Sequence, residues 1–152
     1  MKINVVTIAK PEQDSYSRIC DHFVKMSGRY AKVAVHDLFN AKVTRAQEQG
    51  KAQARKLYAD LFDPWLRRGL TVALDPEGKE PDSETFAAML EGHAEVTFFI
   101  GGAFGHAPEF LKRCDRSLSL SKLTMSHKIA KTVLLEQIYR GLTILHNHPY
   151  HK

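Results

Sequence analysis

The sequence predicts an α/β fold in which a mostly parallel sheet is flanked by helices. Apolar, β-prone runs recur along the chain and alternate with helix-like or loop segments, which is the pattern of parallel sheets. With 152 residues, 43% of them hydrophobic, the chain is long enough to bury one substantial core. We therefore expect a single domain that spans residues 1–152.

Each predicted element follows from its local pattern. The predicted strands are the apolar runs at residues 3–8, 32–35, 70–74 and 96–100, with a short fifth strand near 117–120. The predicted helices cover residues 13–26, 44–62, 83–90 and 128–142. Pro64 should end the second helix, because proline cannot donate the helical hydrogen bond. The polar stretch at 37–50 is the best candidate for a mobile loop or the frayed start of that helix, and an ordinary surface connection is the favoured alternative.

The lengths of the apolar runs and the positions of the cysteines indicate where the protein is located and which cysteine chemistry to expect. The sequence contains no run of about 18 or more apolar residues and no pattern of a cleaved secretory signal, so we expect a cytoplasmic protein without membrane association. Cys20 and Cys114 are far apart and match no CxxC spacing. Neither a disulfide framework nor a cysteine zinc site is indicated.

Charge is unevenly distributed along a chain whose formal net charge is +5. Residues 41–70 hold seven Lys/Arg against three Asp/Glu, and residues 111–152 hold eight against two. Residues 71–110 reverse the balance, with one Lys against eight acidic residues. This distribution favours docking on a polyanion such as RNA, although an ordinary mixed, solvated surface would show it equally well.

Ligands of open α/β sheets bind beyond the carboxyl ends of the strands, so the loops after the third, fourth and fifth strands are candidate sites. The first loop, at residues 74–78, contains a Pro-Glu-Gly turn, and the second has three glycines at 100–106, followed by Pro108 at a helix start. The third, at 119–127, mixes serines with leucines and a methionine and is suited to wrapping a nucleoside. A tight turn and a partly buried linker remain the alternatives for the last two, since the glycine spacing matches neither the dinucleotide nor the P-loop motif.

The last helix and the tail carry further polar candidates. Glu136 and Arg140 lie four residues apart, which is also the spacing of an ordinary surface ion pair. The tail contains His146, His148 and His151, for which a base or RNA contact, a metal site and an inert tail are all open. The lack of a neighbouring carboxylate in sequence argues against the metal.

Four segments together resemble a known family. They are IGG–FG at residues 100–105, LSLSKLTMSH at 118–127, LEQIYR at 135–140 and NHPYHK at 147–152. In this order they are similar to the ribosomal RNA large subunit methyltransferase H family, small members of the SPOUT superfamily. The resemblance implies a SPOUT-type knotted α/β fold with a C-terminal trefoil knot, and a homodimer. It also implies S-adenosylmethionine (SAM) as cofactor, and methyl transfer to N3 of a pseudouridine in 23S ribosomal RNA of the assembled ribosome.

The resemblance also implies roles for individual residues. The implied SAM contacts are Leu74, Gly102, Ser121, Lys122, Leu123, Thr124, Met125 and Ser126. The implied catalytic or RNA-orienting residues are Glu136, Arg140, His148, Tyr150, His151 and Lys152. Two departures from the family pattern are visible. Ala103 and Phe104 stand where the family commonly has Pro-Glu, and Lys152 replaces a common arginine, which keeps the charge but loses planar bidentate contacts.

These residues suggest a mechanism. The acceptor imide nitrogen must lose a proton, so Glu136 or a tail histidine would act as base and Arg140 would stabilise the developing charge. Because the sequence contains no recognisable RNA-binding module, we expect activity on assembled ribosomes and poor activity on naked RNA. A knotted transfer RNA methyltransferase, a non-catalytic RNA-binding factor and a histidine metal-binding protein are the rival interpretations.

Overall fold

The structure, a computed structural model, describes residues 1–67 and 69–152. The strands of this part of the chain are β1 (Lys2–Ile8), β2 (Lys32–Leu38), β3 (Leu70–Lys79), β4 (Glu95–Ile100) and β5 (Arg116–Leu118). The α-helices are α1 (Ser15–Ser27), α2 (Ala41–Glu48), α3 (Lys51–Phe62), α4 (Ser83–Leu90), α5 (Pro108–Arg113) and α6 (His127–Leu145). A single 3₁₀ turn, Asp63–Trp65, follows α3 and contains Pro64, the residue expected to end that helix.

The strands form one sheet in the order β2-β1-β4-β3-β5. Every strand pairing among the described residues is parallel. The predicted α/β class with a mostly parallel sheet is therefore confirmed. All carboxyl ends meet at one edge of such a sheet, so the loops after β3, β4 and β5 emerge side by side.

Both faces of the sheet are buried, which explains why its strands appear in the sequence as unbroken apolar runs. Phe98 and Phe99, adjacent on β4, show the alternation: Phe98 stacks on Phe86 of α4 at 5.8 Å, and Phe99 packs against Phe62 of α3 and Phe110 of α5. One core lies beneath α1, α4 and α6, and the other lies beneath α2, α3 and α5.

The prediction of one helix over residues 44–62 was wrong, because two helices occupy this region. Gly50 separates α2 from α3 with φ of 110°, a conformation that side-chain-bearing residues rarely adopt. The prediction of a loop or frayed helix start at 37–50 was also wrong. Strand β2 continues to Leu38, and the Asn40 side chain caps α2 by accepting hydrogen bonds from the Lys42 and Val43 amides at 2.9 and 3.3 Å.

The predicted turn at residues 74–78 is part of a longer, irregular strand. Leu74 and Lys79 both pair with Leu118, so the residues between them bulge out of the ladder. Gly78 is required there, since a Cβ at this position would lie 2.7 Å from the Leu118 amide nitrogen. The remaining strands and helices agree with the predicted ones to within about three residues, and Pro108 begins α5 as expected.

Across residues 1–67 and 69–152, we find no helix that combines the length and the apolar character needed to cross a membrane.

Candidate active site

The loops after β3, β4 and β5 converge on a cleft of about 360 Å³. From β3 come Leu74, Asp75 and Pro76, and from the loop after β4 come Ile100, Gly101, Gly102, Ala103 and Gly105. The third wall combines the segment after β5 with the start of α6: Leu118, Ser119, Leu120, Ser121, Leu123, Met125, Ser126, His127 and Ala130. This wall is apolar at its leucines and methionine and polar at its serines. The arrangement is typical of a site for a flat, partly polar organic ligand.

The loop after β4 makes a tight glycine turn. The Gly105 amide donates a hydrogen bond to the Gly102 carbonyl at 3.0 Å, and Gly105 has φ of 69°. A Cβ on Gly101 would lie 2.9 Å from the Gly105 carbonyl carbon. The loop therefore presents main chain to the cleft, without the side chains that would fill it.

Helix α3 holds this loop in place. The Tyr58 ring lies against Gly102 so closely that a Cβ there would be 2.6 Å from the phenol oxygen. The same oxygen accepts a hydrogen bond from Gln47 Nε2 of α2 at 2.6 Å. Arg55 Nε donates to the Phe104 carbonyl at 2.8 Å. The absence of a side chain at position 102 thus serves packing against α3 as well as access to the cleft.

His106, directly after the glycine turn, is a supporting residue inside the core. Its Nε2 lies 3.3 Å from the Phe99 carbonyl oxygen, which can only accept, so the proton is on Nε2. The ring stacks on Phe110 at 5.1 Å. Burial lowers the pKa of His106 to about 4, so it stays neutral at physiological pH.

The serines of the third wall bind their own backbone. Ser119 Oγ donates to the Ser121 carbonyl at 2.9 Å, and Ser121 Oγ accepts from the Leu123 amide at 3.0 Å. Ser126 caps α6 by accepting from the Ile129 amide. These hydroxyls fix the shape of the segment, which leaves its main chain and apolar side chains to face a ligand.

Six of the eight residues expected to contact SAM line the cleft, whereas Lys122 and Thr124 lie outside it. Leu123 lines the cleft although it is 78% exposed, so it lies at the rim. Sequence reasoning had left Asp75, Pro76 and His127 without a role, although all three lie in the loops singled out. No sequence motif indicates a binding role for Ala130, which reaches the cleft only through the packing of α6.

A second cluster surrounds Glu136 and Arg140 near the end of α6. Glu136 Oε1 accepts from Arg140 Nη2 at 2.6 Å, from Arg140 Nε at 3.0 Å and from the Tyr150 hydroxyl at 3.0 Å. The guanidinium also lies 4.7 Å from the centre of the Tyr150 ring. The bond to Glu136 raises the pKa of Arg140, and burial followed by the same carboxylate raises the pKa of Tyr150. Arg140 is therefore a permanent, firmly oriented cation.

The tail folds back onto this cluster. Arg140 Nη1 lies 3.3 Å from His151 Nδ1, and since a guanidinium can only donate, Nδ1 accepts and Nε2 carries the proton shared with Glu84 at 2.9 Å. His148 Nδ1 is buried without a hydrogen-bond partner among the described residues, and Lys152 is exposed. The five residues Glu136, Arg140, His148, Tyr150 and His151 thus lie around the end of α6.

The tail histidines do not converge on one point. His146 Nδ1 bonds to the Leu142 carbonyl at 2.8 Å, whereas His151 bonds to Arg140 and Glu84. Within the described residues there is no group of three or more His, Cys, Asp or Glu side chains arranged to hold a metal ion.

The cleft and the cluster occupy different stretches of α6. Ala130 lines the cleft, and Glu136 comes six residues later. At 1.5 Å per residue, this is a rise of about 9 Å along the helix axis, and Arg140 lies about 6 Å further. In a single chain, the groups proposed to bind cofactor and those proposed to act on the acceptor are set apart along the helix.

Comparison with known proteins gives a consistent result. A family model described as "Predicted SPOUT methyltransferase" matches residues 1–151. The chain is 47% identical to ribosomal RNA large subunit methyltransferase H of Aliarcobacter butzleri over 100% of both chains. It is 48% identical to the protein of the same name from Nitratiruptor sp. over 99% of both. Among solved structures, a probable methylase family protein of Haemophilus influenzae Rd KW20 superposes with a TM-score of 0.58 at 13% identity, covering 99% of this chain and 70% of that one.

Proposed function

The chain belongs to the SPOUT methyltransferase family, and from this premise we propose that it methylates N3 of a pseudouridine in 23S ribosomal RNA of the assembled ribosome, with SAM as donor. The full-length relatives named as large-subunit ribosomal RNA methyltransferases support the substrate class. The terminal NHPYHK and the segment at 118–127 support the finer assignment of the acceptor. A ribosomal substrate would place the protein in the cytoplasm.

The observation that carries this proposal is the cleft at the carboxyl ends of β3, β4 and β5. Its lining fits the chemistry of SAM, because Leu118, Leu120 and Met125 can cover an adenine ring while the main chain of the glycine turn faces the polar parts. The Asp75 carboxylate can accept hydrogen bonds from ribose hydroxyls. When bound there, SAM would supply a methyl group already activated on a sulfonium.

We infer that the cleft segment belongs to the trefoil knot implied by the family. Strand β5 lies at the edge of the sheet beside β3, and the chain then crosses the carboxyl ends to reach α6. Helix α6 packs on α1 and α4, on the far side of the sheet from α5. A knot would hold the cleft segment rigidly in its bent course.

We propose different tasks for the members of the second cluster. Glu136 Oε1 already accepts three hydrogen bonds, so Glu136 acts as a positioning residue for Arg140 and Tyr150 and not as a free base. Arg140 would stabilise the negative charge that develops as the imide proton leaves. His148 and Lys152 remain the candidates for contact with the acceptor nucleotide. Wild-type turnover by both Glu136→Gln and Arg140→Ala would exclude this scheme.

We propose that a homodimer brings the two halves of the site together. Tyr16 and Ile19 are exposed one turn apart on α1, and Ile129 is exposed on α6, which packs against α1. We place the two-fold axis in this α1–α6 face and perpendicular to α6, so that the two α6 helices run in opposite directions. The tail cluster of one copy would then approach the cleft of the other.

Methyl transfer to purified ribosomes tests the proposal. Ribosomes from a strain that lacks the modification should accept one methyl group from SAM, and naked 23S RNA should react poorly because it lacks the preformed surface. Robust methylation of a short free RNA hairpin would contradict recognition of the assembled ribosome. Methylation of transfer RNA instead would favour the rival enzyme, and SAM-independent ribosome binding would favour a non-catalytic factor.

A further inference from the structure

Helix α3 carries exposed cations on both of its flanks. A groove of about 470 Å³ runs between α2 and α3, and its charged lining residues are Lys42, Arg45, Lys56 and Asp60. A groove of about 600 Å³ runs between α3 and α5, and its charged lining residues are Lys51, Arg55, Lys56, Asp60, Glu109 and Arg113. Because Lys56 and Asp60 line both grooves, the two form one continuous region, which we term the α3 surface.

The cations of the α3 surface are available for an external partner. Lys42, Arg45, Lys51 and Lys56 are all exposed. None of these four forms an ion pair with any residue in 1–67 or 69–152. The charged residues that line the two grooves are six cations and two carboxylates, and of the cations only Arg113 is paired within the part of the chain that the structure describes, with Asp63 outside the grooves. The remaining excess of positive charge favours an anionic ligand.

The α3 surface borders the proposed cofactor cleft. Arg55 lines the groove between α3 and α5 and also donates a hydrogen bond to Phe104, inside the glycine turn. Tyr58 lies one helical turn after Arg55 on the same helix, and its ring packs against Gly102 of the glycine turn. An extended anion lying along α3 would therefore pass beside the mouth of the cleft.

We propose that the α3 surface binds the sugar–phosphate backbone of the RNA strand that flanks the methylated nucleotide. The inference rests on the proposed function, which supplies an RNA substrate. Lysine and arginine on an exposed helix contact phosphates without reading base identity, so this surface would set the position of the strand and leave recognition of the base to the cleft and tail. It would supply a binding surface to a chain that has no recognisable RNA-binding module.

The salt dependence of ribosome binding tests this surface. We would compare the wild type with the triple variant Lys42→Gln/Arg45→Gln/Lys56→Gln. The matched control is Lys25→Gln/Arg29→Gln/Lys32→Gln, which makes the same charge change with the same residue types at exposed positions. Lys25 lies in the last turn of α1 and Lys32 begins β2, so the control lies at the amino ends of the strands, away from the α3 surface. Binding to purified 70S ribosomes would be measured between roughly 50 and 300 mM salt, the range over which phosphate contacts weaken.

The proposal predicts a specific change in slope. Each lost phosphate contact reduces the steepness of log affinity against log salt by about 0.7–0.9, so the loss of three contacts should make the slope of the triple variant shallower by about 2–3. Its affinity should fall on the order of tenfold or more at low salt, while its SAM affinity, measured by calorimetry, stays that of the wild type. The control should match the wild type in both measurements.

Other outcomes separate this inference from the proposed function. An unchanged slope in the triple variant would overturn the α3 surface while leaving the methyltransferase proposal intact. Weaker binding with an unchanged slope would also overturn it, because the three side chains would then contribute to binding by something other than phosphate contacts. A wild-type protein that binds SAM but no ribosomes would refute both the surface and the ribosomal substrate. A wild type that binds ribosomes but not SAM would refute the enzyme, and the slopes would still decide the surface.

Discussion

Replacing Gly102 with alanine should destabilise the protein through a clash with α3. The added Cβ would lie 2.6 Å from both Cζ and the phenol oxygen of Tyr58, against an ordinary carbon contact of about 3.5–4.0 Å. Tyr58 is only 1% exposed and its hydroxyl is held by Gln47, so the ring cannot move away freely. Overpacking of this kind typically costs about 1–3 kcal/mol. SAM affinity should fall as well, because the glycine turn would be displaced.

A double-mutant cycle with Tyr58→Leu isolates this contact. Leucine keeps the inner part of the side chain but removes the ring atoms that would meet the alanine methyl. Alone, Tyr58→Leu should cost about 2–4 kcal/mol through lost packing and the lost bond to Gln47. In the double variant the methyl occupies part of the space that the ring leaves, so the combined cost should be below the sum of the single costs by about 1–3 kcal/mol.

Urea denaturation at a fixed protein concentration measures these free energies of unfolding, since association would otherwise shift them. Additive costs, with a coupling energy below about 0.5 kcal/mol, would refute the packing argument. Unchanged stability in Gly102→Ala combined with lost SAM binding would show that the glycine serves only the ligand.

Three further predictions concern pH, association and the composite site. Burial lowers the pKa of His106 to about 4, whereas the unfolded chain binds that proton near pH 6.5. The contribution of neutral His106 to the free energy of unfolding should therefore be fully present above pH 6.5, and the free energy should fall by roughly 3 kcal/mol as the pH is lowered towards 4. Urea titrations of His106→Phe should lack this contribution, and the same acid sensitivity as the wild type would contradict it. Ile19→Asp should convert the dimer to monomers in sedimentation equilibrium, whereas a dimer of unchanged affinity would place the interface elsewhere. Mixing Ala130→Trp with Arg140→Ala subunits should restore about a quarter of wild-type methyl transfer. Half of the dimers would be mixed, and each mixed dimer would hold one intact site, formed by the cleft of the Arg140→Ala subunit and the tail cluster of the Ala130→Trp subunit. No recovery after verified subunit exchange would contradict a site shared between subunits.

Much of the fold could be predicted from the sequence, because a doubly covered parallel sheet imposes a local pattern. The run at residues 96–100 is apolar throughout since Phe98 and Phe99 are both buried, on opposite faces. The rule that ligands bind at the carboxyl ends of parallel strands predicts the position of the cleft from the sequence alone. Errors arose where one residue changes the backbone, as Gly50 does between α2 and α3.

The parts of the site that the sequence did not reveal depend on contacts between distant residues. The hydrogen bond between Arg55 and Phe104 joins residues 49 positions apart, and that between Glu84 and His151 joins residues 67 positions apart. No local sequence pattern predicts either bond. The Glu136–Arg140 spacing was recognised, but an i,i+4 spacing alone could not show that Tyr150 shares the same carboxylate oxygen. Likewise, the role of Gly102 against Tyr58 follows only from the packing of α3 on the loop.

Calorimetric titration of the purified protein with SAM tests whether the cleft at the carboxyl ends of the strands binds a methyl donor. Ala130→Trp should fill the cleft from α6 and leaves the sequence of the glycine turn unchanged, and Ala88→Trp, at an exposed position of α4, introduces the same side chain on another helix. We expect saturable binding by the wild type and by Ala88→Trp, with binding lost in folded Ala130→Trp. Failure of the folded wild type to bind SAM, or unchanged affinity in Ala130→Trp, would contradict the placement of a methyl-donor site in this cleft.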